Sequence, residues 1–534
     1  MSARDPLDWT ISAVFAALVL LAGVWQVASG VGLTHEDGFY YFKIAQHVAS
    51  GHGSTFDGQH LTNGYHPLWL LLLVPVFWLA PSAGAALTVG VLVQVALSAV
   101  AVILVYHTAR LLMGRVGAVV AAQLWLVCSA SVTLGGQEFA VHAVVVLAVA
   151  HLWLRARPDV TRVSLATYGA LGLLLALSTL ARLETIALAG MIGGWLVWPR
   201  DRRQHSRPWA AHLAAVGLPV LLVSVGYVAA NLVLVGDPFP VSAAVKREWS
   251  GALLAADPWF QSYGWVGAKA RHMLWPLSKS ESLSTVHLAL GIPVVGGLWS
   301  FHCIARRAVP DGALRRLMRG ASPFLAFGLA QAAGYTLVYH GSLSYPPHYF
   351  VVQRWLAALL VGAVVEDRLS RLRPNAQNPR AVPLSVLALL LVPLAAAVEV
   401  RAWQVARQED GIVAPLHDAA DWVSRHVPAE AVVGSWNAGA IGFLSGRAVV
   451  NLDGLVNSWD YFRQGRRDLC QYWRESGVTY LVDIFEANQP VTPVRTPLNF
   501  GNCAHRLRLL LTDDRYRASW RIEAYFVDLE GAGP

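Results

Sequence analysis

Charge is what this sequence has least of. Only 14% of its 534 residues are Asp, Glu, Lys or Arg, 55% are apolar, and the mean hydropathy is +0.46. A chain so poor in charge is not an ordinary soluble globule. Cysteine is scarce too, and four residues are too few for a disulfide scaffold. Cys128 and Cys303 fall in or beside apolar runs, as packed apolar groups do. Cys470 and Cys503 lie near the C-terminus, where an oxidising compartment permits a bridge. No fixed-period repeat or low-complexity run is present. No charged residue is expected deep inside an apolar run, which counts against an ion-coupled transporter or proton relay.

What is present is a series of long apolar segments. Residues 10–32, 84–109 and 209–235 each reach the roughly 17–25 residues that cross about 30 Å of hydrocarbon. The first follows "MSARDPLDW" without a small-residue cleavage site and is expected to be a retained span. The net charge of +8 does not point to nucleic acid, because arginine gathers in alternate linkers. Arg110 and Arg115, Arg155 to Arg162, Arg200 to Arg207, Arg306 to Arg319 and Arg368 to Arg380 form one set. The linkers near 136 and at 340–348 carry no Lys or Arg. The positive-inside rule makes the Arg-rich set cytoplasmic.

This alternation resolves "HPLWLLLLVPVFWLAP" at 66–81, a short apolar run containing Pro75. Counting it as a crossing would put every later Arg cluster on the wrong side, so it is expected to lie at the outer interface. About eleven crossings follow, near 10–32, 84–109, 116–134, 138–154, 164–181, 184–198, 209–235, 285–304, 321–339, 350–365 and 383–400. The expected fold is an all-α polytopic membrane protein with a small C-terminal α/β domain outside. Residues 1–404 form the membrane part, 33–83 its first outer loop, and 405–534 the extracytoplasmic domain. In the latter, "HDAADWVSRHV" and "FRQGRRDLCQYWRESG" read as helices, and "AVVGSW", "RAVVNLDG", "VTYLVDIF" and "SWRIEAYFVDLE" as strands.

The polar residues at the outer ends of the spans carry the chemistry. "THEDGFYYFKI" places Glu36 and Asp37 at the start of a helix whose Tyr41, Ile44, Ala45 and Val48 share a face. Thr34 is the expected cap, and acids favour a helix N-terminus. "GGQEF" adds Glu138, and "LARLET" adds Arg182 and Glu184. Lys246 and Arg247 in "GDPFPVSAAVKREW" are cations kept outside against the usual bias, which an anionic ligand would explain. His340, Tyr345, His348 and Tyr349 gather at another outer mouth.

"EDGFYYFKIAQHVASGHGSTFDGQHLTNGYHPLW" resembles the first outer loop of the GT-C superfamily of polyprenyl-phosphate-dependent glycosyltransferases. "GGQEF", "LARLE", "GDPFPVSAAVK" and "GFLSGRAVVNLDGLVNS" resemble further family elements, with Gln137, Leu183 and Val241-Ser242 as departures. The resemblance implies an integral enzyme of the bacterial plasma membrane, with its N-terminus cytoplasmic. It would move a sugar from a polyprenyl-phosphate donor to a glycan, lipid or protein acceptor. It implies Asp37 as the catalytic carboxylate beside Glu36. Lys246, Arg247 and Arg182 are candidates for the donor phosphate, and Tyr41, Asn63, His66, Glu138, His348 and Tyr349 for substrate contact.

Some members use a metal and others do not. Oxygen ligands from Glu36, Asp37 and Glu138 would suit Mg²⁺, Mn²⁺ or Ca²⁺. Two other classes fit the gross pattern: a flippase or transporter of lipid-linked sugars, and a non-catalytic envelope scaffold displaying the C-terminal domain.

Overall fold

Apolar runs of this length form helices because only a helix satisfies every backbone polar group within its own segment when water is absent. The computed structural model describes residues 5–28, 33, 35–133, 135–156, 163–197, 209–274, 312–340, 349–372, 412–486, 503, 506–516 and 520–529. In chain order the helices of the N-terminal part are α1 (Pro6–Ala28), α2 (Glu36–Ala49), α3 (Pro67–Leu79), α4 (Ala83–Arg110) and α5 (Arg115–Thr133). They continue with α6 (Phe139–Ala156), α7 (Leu165–Ala181), α8 (Ile186–Val197) and α9 (Trp209–Val235). Next come α10 (Val241–Ala255), α11 (Pro258–Leu274), α12 (Ala313–Gly320), α13 (Ser322–Val338) and α14 (Val351–Leu372).

Each expected crossing that falls on described residues coincides with one of these helices: α1, α4 to α9, α13 and α14. Four stretches, α1, α4, α6 and Ala210–Val235 of α9, are long and apolar enough by themselves to span a bilayer. The expected spans at 285–304 and 383–400 lie outside the described residues. Helix α3 has 13 residues, about 20 Å at 1.5 Å per residue, too short to cross. It packs on α2, α4 and α7 and leaves Leu71, Leu72, Trp78 and Leu79 exposed.

Asp8 of α1 accepts from Tyr106 (2.9 Å), Arg110 (3.1 Å) and Arg115 (2.8 Å), so the N-terminus and the first Arg-rich linker share one end of the bundle. At that end α14 runs on past residue 365 and uses its acids as caps. Glu366 accepts the Gly117 N–H (2.8 Å), and Asp367 accepts from Ala313 and Leu314 at the start of α12. One departure concerns charge within the spans. Arg354, in the first turn of α14, is fully buried, its guanidinium 5.7 Å from the Phe139 ring centroid.

The C-terminal domain contains α15 (Val413–His426), β1 (Val432–Ser435), α16 (Ala438–Leu444), β2 (Ala448–Asn451), α17 (Leu469–Glu475), β3 (Val478–Glu486), β4 (Leu507–Asp513) and β5 (Trp520–Val527). The sheet order is β2-β1-β3-β5-β4, with β1 parallel to β2 and β3, and β5 antiparallel to β3 and β4. The helix expected over 462–477 is divided. A π-helical turn over Tyr461–Gly465 precedes α17, whose start is fixed by Asp468 accepting the Gln471 N–H (3.0 Å). Strand β4 and helix α16 were not expected. In "RLRLLLT" the alternation breaks at Leu509–Leu511, where the register on β5 shifts, and β4 is an edge strand with Leu509 and Leu510 exposed.

The apolar side chains of the first loop do not form a separate core. Phe39, Phe42 and Ile44 of α2 pack in one cluster with Val433, Leu416 and Ile441 of the C-terminal domain.

Cys470 and Cys503 are joined in a disulfide across 33 residues, which ties α17 to the segment leading into β4. Closing a loop of that length stabilises by about 3–4 kcal/mol through the unfolded chain. Cys470→Ser is therefore expected to lower the unfolding midpoint of the purified protein, and reductant should add nothing to the variant.

Candidate active site

The site is built on α2, and α2 is enclosed. Every residue from Gly38 to Ala45 is buried, not only the expected face with Tyr41, Ile44 and Ala45, and Val48 is half-buried. On one side Phe42 meets Phe77 of α3; on the other Phe39 and Phe42 meet Phe443 of α16 at 5.9 and 6.0 Å between centroids. His35, with extended backbone, is the N-cap residue. Thr34, the expected cap, lies outside the described residues. The first turn rests on backbone, since a methyl on Gly38 would collide with the carbonyl of Gly135 and sit 2.7 Å from Cα of Gly136. Gly136 itself has φ of +75°, a conformation that favours glycine.

The two acids of this turn point to different partners. Asp37 accepts from the side-chain amide of Gln137 (3.2 Å). Glu36 accepts the backbone N–H of Gly439 at the start of α16 (2.6 Å). Burial raises the Glu36 pKa well above the usual carboxylate range, and the nearby charges of Asp37 and Asp453 add to it. Tyr40, one turn on from Glu36, donates to Asp453 Oδ2 (3.0 Å) and accepts from Asn451 (3.2 Å). Burial pushes the Asp453 carboxyl up to about 7, against the hydrogen bonds from Leu455 and Tyr40.

A second layer holds the cations. Glu138 is buried, accepts from Tyr41 (2.9 Å) and pairs closely with Arg182. Arg182 also donates to Glu184 (2.7 Å), and Glu184 accepts from Tyr335 (3.2 Å) and Gln331 (3.3 Å). The Arg182 guanidinium lies 3.9 Å above the Tyr349 ring, whose hydroxyl accepts from Lys246 Nζ (2.7 Å). Burial works against the Lys246 charge, yet the Tyr349 and Asp37 side chains outweigh it and raise its pKa. His66 Nε2 stands 3.8 Å from Glu138, and burial pushes its pKa down to about 4, so the ring is neutral at pH 7.

The fold thus brings Asp37, Glu36, Tyr41, His66, Glu138, Arg182, Lys246 and Tyr349 to one place. Two candidates fall elsewhere, and a third is not among the described residues. Arg247 is exposed, turned about 100° around α10 from Lys246, with no described contact to the cluster. Both ends of the Asn63 amide are engaged by backbone, donating to Phe239 O (2.8 Å) and accepting from Val241 N–H (3.0 Å). Asn63 therefore fastens the start of α10, which carries Lys246. His348 lies outside the described residues.

The cation set is not assembled. Among the described residues no three His, Cys, Asp or Glu side chains converge as metal ligands. Glu36 is turned to Gly439, and Glu138 is neutralised by Arg182. Sequence reasoning passed over Gln137, Tyr335, Gln331 and Asp453. Their partners lie dozens to hundreds of residues away, beyond any local period; only the polar run "NLDGLVNS" between strands hinted at Asp453.

Comparison with known proteins bears on the fold. Residues 71–227 match the model of the dolichyl-phosphate-mannose-protein mannosyltransferase family, and residues 400–532 match one described as a domain of unknown function. No curated protein matches the chain in sequence. The archaeal oligosaccharyltransferase AglB from Archaeoglobus fulgidus, in complex with an inhibitory peptide and a dolichol-phosphate, superposes with a TM-score of 0.55 at 14% identity, covering 90% of this chain and 69% of that one. The same organism's oligosaccharyltransferase in complex with Zn and sulfate gives 0.53 at 15% identity, covering 89% and 68%. ArnT from Cupriavidus metallidurans, bound to undecaprenyl phosphate, gives 0.54 at 14% identity and covers 99% of this chain and 100% of that one. Its fold is similar to this chain's over nearly the whole length of both, and the sequence match to the mannosyltransferase family model is confined to residues 71–227.

Proposed function

We propose that the protein transfers a sugar from a polyprenyl-phosphate donor to an acceptor hydroxyl on the extracytoplasmic side of a bacterial plasma membrane. The observation that carries this reading is a run of contacts at the end of the bundle away from the Arg110–Arg115 linker: Asp37 to Gln137, the next residue Glu138 to Arg182, Arg182 to the Tyr349 ring, and the Tyr349 hydroxyl to Lys246. Arg182 is balanced by two glutamates, Glu138 and Glu184. Lys246 is bonded instead to the Tyr349 hydroxyl, and its positive charge is the one offered to a phosphate.

The acceptor oxygen attacks the anomeric carbon as the bond from that carbon to the phosphate oxygen breaks. The polyprenyl phosphate leaves with the electron pair, and Asp37 takes the acceptor's proton as general base. Lys246 stabilises the charge on the leaving phosphate, with the Arg182–Tyr349 stack behind it. A single displacement of this kind inverts the sugar carbon. Glu36 supports Asp37 from the same turn while docked on the C-terminal domain. Tyr41 and His66 line the approach beside Glu138. A divalent cation does not fit these residues as they stand, and no step is assigned to one.

Asp37→Asn is expected to lower transfer of a radiolabelled sugar by about 10²–10⁴-fold with the amount of membrane-inserted protein unchanged. Near-normal turnover in that variant would remove Asp37 from the role of base. Lys246→Ala should raise the donor KM by roughly tenfold or more, the loss of one charge-assisted hydrogen bond. Arg247→Ala should leave donor KM within about twofold, since exposed charges far from the site contribute little; equal losses in the two variants would put the phosphate elsewhere.

A further inference from the structure

The segment between β2 and the π-helical turn, Asn451 to Asn457, is tied to itself. Asn451 Oδ1 accepts the Gly454 N–H (2.9 Å), Asp453 Oδ1 accepts the Leu455 N–H (2.6 Å), and Asn457 donates to the Asn451 carbonyl (2.6 Å). Gly454 has φ of +90°, which only glycine adopts at low cost. Tyr461 and Tyr472 brace it further, donating to the Leu452 carbonyl (2.6 Å) and to Asn457 Oδ1 (3.0 Å), so the turn is a fixed support for what touches it.

It touches three pieces of the membrane part. Tyr40 of α2 is bonded to Asp453 and Asn451. Gly64 of the first loop lies so close that a methyl there would collide with the Leu455 carbonyl. Val245 of α10, the residue before Lys246, lies 3.2 Å from where a Gly454 side chain would begin. The turn is wedged between the helix that carries Asp37 and the helix that carries Lys246. Tyr40 follows Asp37 by three residues, one turn along the same helix, and the field of Asp37 reaches Asp453.

We infer that Asp453 is a positioning residue for the transfer reaction: through Tyr40 it fixes the first turns of α2 and so the place of the Asp37 carboxylate relative to Lys246. The inference rests on Asp37 acting as base. Misplacing a reacting group by a fraction of an ångström costs turnover more than ground-state binding. Asparagine keeps an acceptor for the Tyr40 hydroxyl, whereas alanine does not.

The test is steady-state kinetics on full-length protein in detergent or liposomes, per mole of monodisperse protein, for Asp453→Ala, Asp453→Asn, Tyr40→Phe and the Tyr40→Phe/Asp453→Ala double variant. Asp453→Ala and Tyr40→Phe should each lower kcat by roughly tenfold or more with donor KM within about threefold. Asp453→Asn should stay within about threefold of the parent, and the double variant should be no worse than Asp453→Ala. Tyr40→Phe leaves the turn intact, so it decides the matter if Asp453→Ala does not fold. Unchanged turnover in Tyr40→Phe overturns the inference. So does Asp453→Asn falling to the level of Asp37→Asn, which would make Asp453 a reacting group. Asp37→Asn in the same assay judges the base separately: its failure to lose activity sinks that reading whatever Asp453 does.

Discussion

The backbone of α2 lies directly against the backbone of its neighbours, and glycine is what permits it. Gly38 meets Gly135 and Gly136 on the membrane side, and Gly439 meets Glu36 on the side of the C-terminal domain. Any side chain at these points would hold the layers apart. Because they close, a short helix opening on two acids is buried from Gly38 to Ala45 between an apolar bundle and an α/β domain. Burial at this density fixes rotamers and limits where water can reach. The proposed role of Asp37 as base would depend on that constraint.

Burial would be unfavourable for the charges unless each was matched. The Glu138–Arg182–Glu184 group meets this need by pairing one guanidinium with two carboxylates, adding the Tyr41 and Tyr335 hydroxyls to the acids and the Tyr349 face to the cation. Paired in this way the group is a rigid wall, since removing any member would strand a buried charge. Lys246 differs because its near partner is a phenol and its balancing acid, Asp37, belongs to the other layer.

The arrangement also bears on the other functional classes that the composition admits. A transporter concentrates its polar groups near the membrane midplane. Here Glu36, Asp37, Glu138, Arg182 and Glu184 stand at helix ends or between helices, Lys246 lies within α10, a helix outside the expected spans, and Arg354 is one turn inside α14. A scaffold that only displayed its C-terminal domain would not share a hydrophobic core with the first loop, nor close hydrogen bonds from Tyr40 to Asp453.

Much of the architecture was legible in the residues, because lipid imposes so few solutions. Run length and the alternation of arginine are one-dimensional signals, and they located α1, α4 to α9, α13 and α14 and kept α3 from being counted as a crossing, whereas α10, α11 and α12 lie in stretches read as an outer loop and a linker. The same signals marked Asp37, Glu138, Arg182 and Lys246, since charges at the ends of apolar runs stand out. Asn63 and Arg247 stood out equally, and only the fold showed that one fastens backbone and the other faces away. The Cys470–Cys503 bond, strand β4 and the grip of Asp453 on Tyr40 were likewise decided in three dimensions. Sequence records which groups a chain has and how they repeat along it. Which of them face one another across hundreds of residues is set by the packing of surfaces, and no local period encodes that.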